Sequence, residues 1–190
     1  MDDTIISNST KDNSGFSKET EFSSSFENQS LDNADLEYHI IDSISFNLND
    51  IIKENKSKIK YAKKDIFYLS FTPPISINDY IKKLFKQTKM NISTLIISII
   101  YIDSFCHKNN YILTKNNIYR IFLSACLLSI KFNEDKVISN KSYSEIACVS
   151  IEDLNSLEFQ MYLKLHFSLK IKSELYKDYY DFFSNFLKKK

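Results

Sequence analysis

The chain has 190 residues, enough for one domain with a substantial core, and its basic and acidic residues are nearly equal in number. The formal net charge of +1 excludes the strong overall field that draws basic proteins to nucleic acids or anionic membranes. One glycine and two prolines are far below average usage, and tight hairpins normally require glycine. The composition therefore favours an all-α fold.

The three cysteines, Cys106, Cys126 and Cys148, are widely separated and lie among apolar residues. Together with three scattered histidines they form no zinc-binding pattern, so we expect neither a metal nor another cofactor. The N-terminus lacks the basic start and apolar run of a signal peptide, and the longest apolar run, 95–102, is too short to span a membrane. These features predict an intracellular protein of the cytoplasm or nucleus, with reduced thiols.

In chain order, residues 1–34 form a polar, serine-rich segment with too few apolar residues to offset the entropy of ordering. We predict that this tail is disordered. Residues 35–70 follow as an N-terminal helix, with apolar residues at helical spacing as far as Glu54, and a lysine-rich linker. Pro73 and Pro74 then fix an extended connection to the next element.

Five helices are predicted between about residues 75 and 166 from the apolar spacing and the capping residues. The expected caps of the first, second, third and fifth helices are Ser76, Asn91 or Ser93, Thr114 and Ser150. The fourth is a short helix over 143–149. Residues 168–190 contain a final helix whose aromatic stripe is typical of packing.

The third of these helices is apolar around most of its axis, which is typical of a helix in the middle of a bundle. Only a narrow strip interrupts it, with the spacing i, i+4, i+7 and i+11: Arg120, Ser124, Leu127 and Lys131. A cation in the last turn offsets the helix dipole by ~0.3–1 kcal/mol. That effect alone would explain Lys131.

The fifth helix carries a carboxylate in an unusual place. At about 100° per residue, one apolar stripe contains Leu154, Leu157, Met161 and Leu165. Glu158 falls in the middle of this stripe, where an ion is costly unless a donor satisfies it. Structural satisfaction, by capping another helix or pairing with a lysine, is the commoner explanation. The alternative is a functional site that Glu158 shares with Lys131.

Several blocks of residues occur in a fixed order: Pro74–Ile81, Tyr101–Asp103, Leu113–Ile121, Lys131–Asp135, Ser139–Asn140, Tyr143 and Leu154–Glu158. In this order and spacing they resemble the cyclin box, in particular that of the P- and U-type cyclins related to the fungal phosphate-pathway cyclin. The resemblance covers residues 71–167, and we expect a single box. It departs from the family pattern at Cys148 and Val149, which replace the glycines expected before the last helix.

This resemblance implies a five-helix cyclin fold around a central helix, and a protein that is not an enzyme. Cyclins bind a cyclin-dependent serine/threonine kinase and hold its mobile αC helix in the active position. In the family, the lysine at position 131 donates to kinase backbone carbonyls and the glutamate at position 158 accepts from backbone amides, so we expect the kinase to bury Glu158. The kinase-binding residues expected here are Lys131, Glu158, Arg120, Ser124, Leu127, Asp135 and Asn140.

Two alternatives are weaker. A cyclin-fold module of a transcription factor, or a scaffold without kinase activation, remains the second hypothesis, although DNA binding would require a basic face. An enzyme is disfavoured because the sequence shows no nucleophile–base set, paired carboxylates or phosphate-binding loop. We therefore predict a kinase regulator without a nucleic-acid, membrane or small-molecule partner.

Overall fold

The computed structural model describes residues 25–186. Its helices are α1 Ser25–Glu54, α2 Ile77–Thr88, α3 Ile92–Asn109, α4 Ile118–Asn133, α5 Asn140–Ala147, α6 Ile151–Lys164 and α7 Ser173–Asn185. A 3₁₀ helix, Asn55–Tyr61, follows α1, and no strand occurs within residues 25–186. The all-α fold is confirmed, with the five helices α2–α6 between one flanking helix on each side.

Helix α4 lies at the centre of the bundle. Every residue from Ile121 to Ile130 is buried, and α3 and α6 pack directly against this helix. A buried Leu, Ile or Phe side chain contributes about 1.5–3 kcal/mol relative to an exposed one. The apolar circumference of α4 therefore explains why it occupies the middle position, as its sequence predicts.

Helices α1 and α7 pack against each other and complete the core. Ile40, Ile41 and Ile44 are fully buried, so α1 belongs to the same core as α2–α6. The helix begins at Ser25, so residues 25–34, which the sequence predicts to be disordered, are helical. Apolar spacing begins only near Leu36, but a helix propagates beyond its packed part because each further residue adds a hydrogen bond. Residues 1–24 of the predicted tail lie outside the described residues.

Serine side chains start three of the helices. Ser76, Ser139 and Ser150 each accept a hydrogen bond from the backbone N–H three residues later. Such a cap stabilises a helix start by about 1 kcal/mol relative to alanine. The predicted caps of α2 and α6 are confirmed, while α5 begins at Asn140, three residues earlier than predicted.

The predicted cap of α4 is wrong. The helix begins at Ile118, and Asn117 precedes it. The Asn117 Oδ1 accepts from the backbone N–H of Thr114 at 2.8 Å, and its Nδ2 donates to the carbonyl of Ile112 at 2.8 Å. Asn117 therefore organises the turn before the helix, and Thr114 is part of that turn.

The segment between the 3₁₀ helix and α2 is fastened to the bundle. Phe67 is fully buried, and its ring lies 5.2 Å from that of Phe105 and 6.3 Å from that of Tyr111. The Tyr111 hydroxyl donates to Asp65 at 2.7 Å. Burial and the Asp65 carboxylate raise the pKa of Tyr111, so the phenol stays protonated and remains a donor. The lysine-rich 3₁₀ helix, by contrast, has no buried residue.

The turn between α5 and α6 forms without the glycines that the family pattern has there. Cys148 lies in the left-handed region of backbone conformation, with φ 55°. This conformation costs a residue that has a Cβ about 1–2 kcal/mol. Its N–H donates to the carbonyl of Glu145, and the N–H of Val149 donates to that of Ser144. These two bonds satisfy the end of α5 and offset the unfavourable conformation.

Candidate partner-binding face

The two charged residues singled out by the sequence lie side by side. Lys131 is in the last turn of α4 and Glu158 is in the middle of α6; the lysine Nζ lies 2.6 Å from Oε1 and 2.8 Å from Oε2 of the glutamate. The side chains are 32% and 19% exposed, so the pair lies at the surface and is partly shielded. The commoner explanation, pairing of Glu158 with a lysine, is therefore what the structure has. Its own chain satisfies this carboxylate without a partner.

Asn140 completes a polar cluster at the junction of three helices. As the first residue of α5, it donates from Nδ2 to the Glu158 Oε2 at 2.9 Å and to the Asn155 Oδ1 at 2.6 Å. An ammonium group has three N–H donors, and both contacts of Lys131 go to the same carboxylate. The cluster thus concentrates donors and acceptors at a surface where α4, α5 and α6 meet.

Glu134 fixes the end of α4 next to this cluster. Its Oε1 accepts from the backbone N–H of Asn91 at 2.8 Å and from the Thr94 hydroxyl, and its Oε2 accepts from the Asn91 side chain at 2.6 Å. A carboxylate is favourable at a helix start because it satisfies free N–H groups and the dipole. Sequence reasoning missed Glu134, since Asn91 lies 43 positions away and no local pattern links the two.

Two exposed phenylalanines are the next residues in sequence after the ion pair. Phe132 and Phe159 follow Lys131 and Glu158 directly in sequence and are 55% and 58% exposed. Aromatic residues at a surface are typical anchors of protein interfaces. We call this surface the ion-pair face, and it consists of Lys131, Phe132, Asn140, Asn155, Glu158 and Phe159.

The other end of the predicted α4 strip is used within the fold. Arg120 donates to the backbone carbonyl of Ile66 at 2.7 Å and to the Asp153 Oδ2 at 3.1 Å. Ser124 and Leu127 are fully buried, and the serine hydroxyl donates to the Arg120 carbonyl. The prediction that Ser124 and Leu127 contact a partner is wrong for this structure, because the bundle covers both side chains.

Five of the seven predicted site residues, namely Lys131, Glu158, Arg120, Asp135 and Asn140, are at least partly exposed, and their kinase contacts stay predictions. The structure brings together Lys131, Asn140 and Glu158, and Asp135 is exposed in the loop after α4. Arg120, by contrast, fastens the segment before α2 to α6 through the contacts described above.

No cluster of His, Cys, Asp and Glu within residues 25–186 has the composition to hold a metal ion. Burial raises the pKa of Cys106 and of Cys126 to about 12, so both thiols are protonated at neutral pH. None of the helices described is both long enough and apolar enough to cross a membrane.

The comparisons with known proteins agree with this architecture. A cyclin family model matches residues 5–169. Cyclin-U2-1 of Arabidopsis thaliana is 25% identical over 120 residues, which cover 63% of this chain and 54% of that protein. Cyclin-U3-1 of the same plant is 32% identical over 99 residues, with 52% and 45% covered. Cyclin-P3-1 of Oryza sativa subsp. japonica is 25% identical over 130 residues, with 68% and 54% covered.

The extent of these matches bears on the boundaries predicted from the sequence. The chain spans about half the length of the curated relatives it matches. The family match begins well before residue 71 and includes α1, which supplies part of the core. Cyclins are regulatory proteins without catalytic activity of their own. The chain therefore belongs to the cyclin family, and it is a cyclin of the P/U type.

Proposed function

We propose that this cyclin binds and activates a cyclin-dependent serine/threonine kinase by holding the kinase αC helix in the active position. The observation that carries the proposal is the ion-pair face, in which Lys131 and Glu158 meet at the surface and each is followed in sequence by an exposed phenylalanine. In other cyclins, residues at these two positions contact the kinase backbone. The alternative, a scaffold without kinase activation, has no feature of this face in its favour.

The internal pairing of Lys131 and Glu158 is compatible with a partner. The ammonium uses two of its three donors on the carboxylate, and the carboxylate uses three of its about four acceptor sites on Lys131 and Asn140. One kinase carbonyl and one kinase amide can therefore be added without breaking the pair. Partly exposed ion pairs contribute only about 0–1 kcal/mol, so rearranging this one costs little. Phe132 and Phe159 supply the apolar area that would hold the partner in place.

Activation follows from differential binding. Phosphoryl transfer requires the kinase ion pair between its β3 lysine and αC glutamate, which forms only when αC is inward. A cyclin that binds only this state raises its population. Shifting a state from rare to dominant requires about 5.5 kcal/mol of differential affinity. We assign this differential affinity to the aromatic side chains and the polar cluster of the ion-pair face.

Exchanging the two charges separates recognition from folding. The double variant K131E/E158K keeps an ion pair between the same positions, so its free energy of unfolding should stay close to that of the wild type. Kinase carbonyls would then face a carboxylate and kinase amides an ammonium. We expect the tagged variant to lose the kinase in affinity purification, as should K131A/E158A.

The matched control removes another exposed ion pair. Lys177 and Asp181 pair on α7, outside the ion-pair face, and K177A/D181A should retain the kinase. Recovery of the kinase by both Lys131/Glu158 variants, at wild-type levels and with intact folding, would overturn the proposal. Recovery of a kinase that the cyclin fails to activate in a peptide phosphorylation assay would favour the scaffold.

A further inference from the structure

A groove of about 650 Å³ opens between α1, α3 and α7. None of the residues of the ion-pair face lines it. Its walls come from the C-terminal half of α1, the middle of α3 and the side of α7 that carries the buried Phe183, together with the loop that holds Tyr111 and Leu113. A ligand in this groove would therefore occupy a surface separate from the proposed kinase contact.

The floor of the groove is apolar. Leu48, Ile99, Ile102 and Phe183 are buried beneath it, and Leu175 is partly exposed at its edge. Burial is the main cause that raises the pKa of the Cys106 thiol, and the charge of the nearby Asp103 raises it further. The thiol on this wall is therefore uncharged at neutral pH. Such a floor accommodates one or a few aliphatic side chains but offers nothing that would bind an anion.

The charged residues that line the groove are all acidic. Asp50, Glu54, Asp103 and Asp178 line the groove, and no lysine, arginine or histidine is among its lining residues. Asp103 accepts a hydrogen bond from the Tyr179 hydroxyl at 2.8 Å. Asp50 is paired with Lys53 on the same helix, while Glu54 on α1 and Asp178 on α7 are exposed. An apolar floor below acidic edges selects a ligand that is both apolar and cationic.

We propose that the groove docks a basic amphipathic segment of another protein, with aliphatic side chains on the floor and lysine or arginine side chains against the rim. The acidic residues that line the groove favour a basic segment over a neutral or acidic one. The chain's own residues 1–24 contain five carboxylates and two lysines, so their charge does not complement the groove. The proposal is independent of kinase binding, because the two surfaces share no residue.

The test is a fluorescence anisotropy titration of the full chain with a labelled peptide of leucine and lysine in helical amphipathic order. We expect saturable binding that is lost when the peptide leucines are replaced by serine. The variant E54K/D178K should weaken binding by ~tenfold or more, because it reverses two rim charges. Both positions are exposed, and circular dichroism should show wild-type helix content.

The control variant D35K/E145K makes the same change in net charge at exposed positions that do not line the groove. It should bind the peptide as the wild type does; an equal loss in both variants would reduce the effect to general charge attraction and overturn the proposal. Equal binding of the serine peptide, or no binding at all, would also overturn it. So would tighter binding after deletion of residues 188–190, which would assign the groove to the chain's own basic end. The E54K/D178K variant should still recover the kinase in affinity purification, so a failure of the groove proposal can be told apart from a failure of the proposed function.

Discussion

Two ion pairs join α4 to α6, one near each end of the central helix. Arg120 lies 3.1 Å from Asp153, and Lys131 lies 2.6 Å from Glu158. The guanidinium also donates to the carbonyl of Ile66, so its charge fastens the segment before α2. The ammonium of Lys131 makes its hydrogen bonds to one carboxylate, and each residue of this pair is followed in sequence by an exposed phenylalanine.

The difference shows that the surroundings of a pair, and not its charge, distinguish a structural tie from a candidate binding site. The Arg120 side chain is 21% exposed and donates to a backbone carbonyl, and that of its partner Asp153 is 49% exposed. The strip of α4 next to it is packed, with Ser124 and Leu127 fully buried. The Lys131 pair lies among side chains that remain accessible. Substitutions at the Arg120 end of α4 should therefore mainly lower the stability of the fold, and substitutions at the Lys131 end should mainly weaken binding of the partner.

The largest effect is expected from Leu127→Ala, at the buried part of the α4 strip. Leu127 is fully buried, so the substitution removes apolar burial and leaves a cavity. We expect the free energy of unfolding in urea to fall by about 2–5 kcal/mol. The control Phe132→Ala removes an exposed side chain and should change it by less than about 0.5 kcal/mol. A stable Leu127→Ala protein that has lost its kinase would restore Leu127 as a contact residue.

A smaller loss is expected from Arg120→Ala. The substitution leaves the Ile66 carbonyl and the Asp153 carboxylate without this donor, and should lower the free energy of unfolding by about 1–3 kcal/mol. Lys131→Ala leaves no backbone carbonyl without a donor, so it should cost less than about 1 kcal/mol. Urea denaturation of both variants measures the difference. Equal losses would break the distinction between the two pairs.

The smallest effect concerns a third pair, between α1 and α2. Asp42 lies 2.7 Å from the Lys82 Nζ and accepts from Asn78 at 2.8 Å. Burial opposes its ionised form, but the two donors and the lysine charge outweigh burial and lower the pKa of Asp42. The resulting stabilisation is present above the unfolded carboxyl pKa and is lost as the pH falls through the lowered folded pKa.

Urea denaturation of the wild type and of Asp42→Asn between neutral and acidic pH tests whether this stabilisation is lost as the pH falls. The asparagine cannot ionise, so the wild type should be the more stable protein at neutral pH, by a small margin because Asp42 is 43% exposed. The two free energies of unfolding should converge in acid. A difference that stays constant with pH would mean that ionisation of Asp42 is not its source.

The sequence predicts the central helix and two of the serine caps because both depend on residues close together in the chain. The apolar circumference of α4 requires burial wherever the helix packs. The same periodicity places Ser124 and Leu127 on one strip with Lys131, but it does not say which neighbouring helix covers each turn. Their burial is a property of the bundle and appears only when α4 is surrounded.

Contacts between distant residues account for what sequence reasoning missed. Thr114 and Asn117 are both good capping residues three positions apart, and the local pattern does not distinguish between them. The pairing of Lys131 with Glu158 was one of two explanations that the residue types allowed. Only the packing of α4 on α6 places the two side chains within 2.8 Å.

The three hydrogen bonds that Glu134 accepts from the start of α3 have a consequence for recognition. They make the C-terminal turn of α4 rigid with respect to the neighbouring helix, so the backbone beneath Lys131 and Phe132 is already ordered. A protein docking there meets a preorganised surface, and little conformational entropy is lost on the cyclin side. Association would then be limited by diffusional encounter and by rearrangement of the partner.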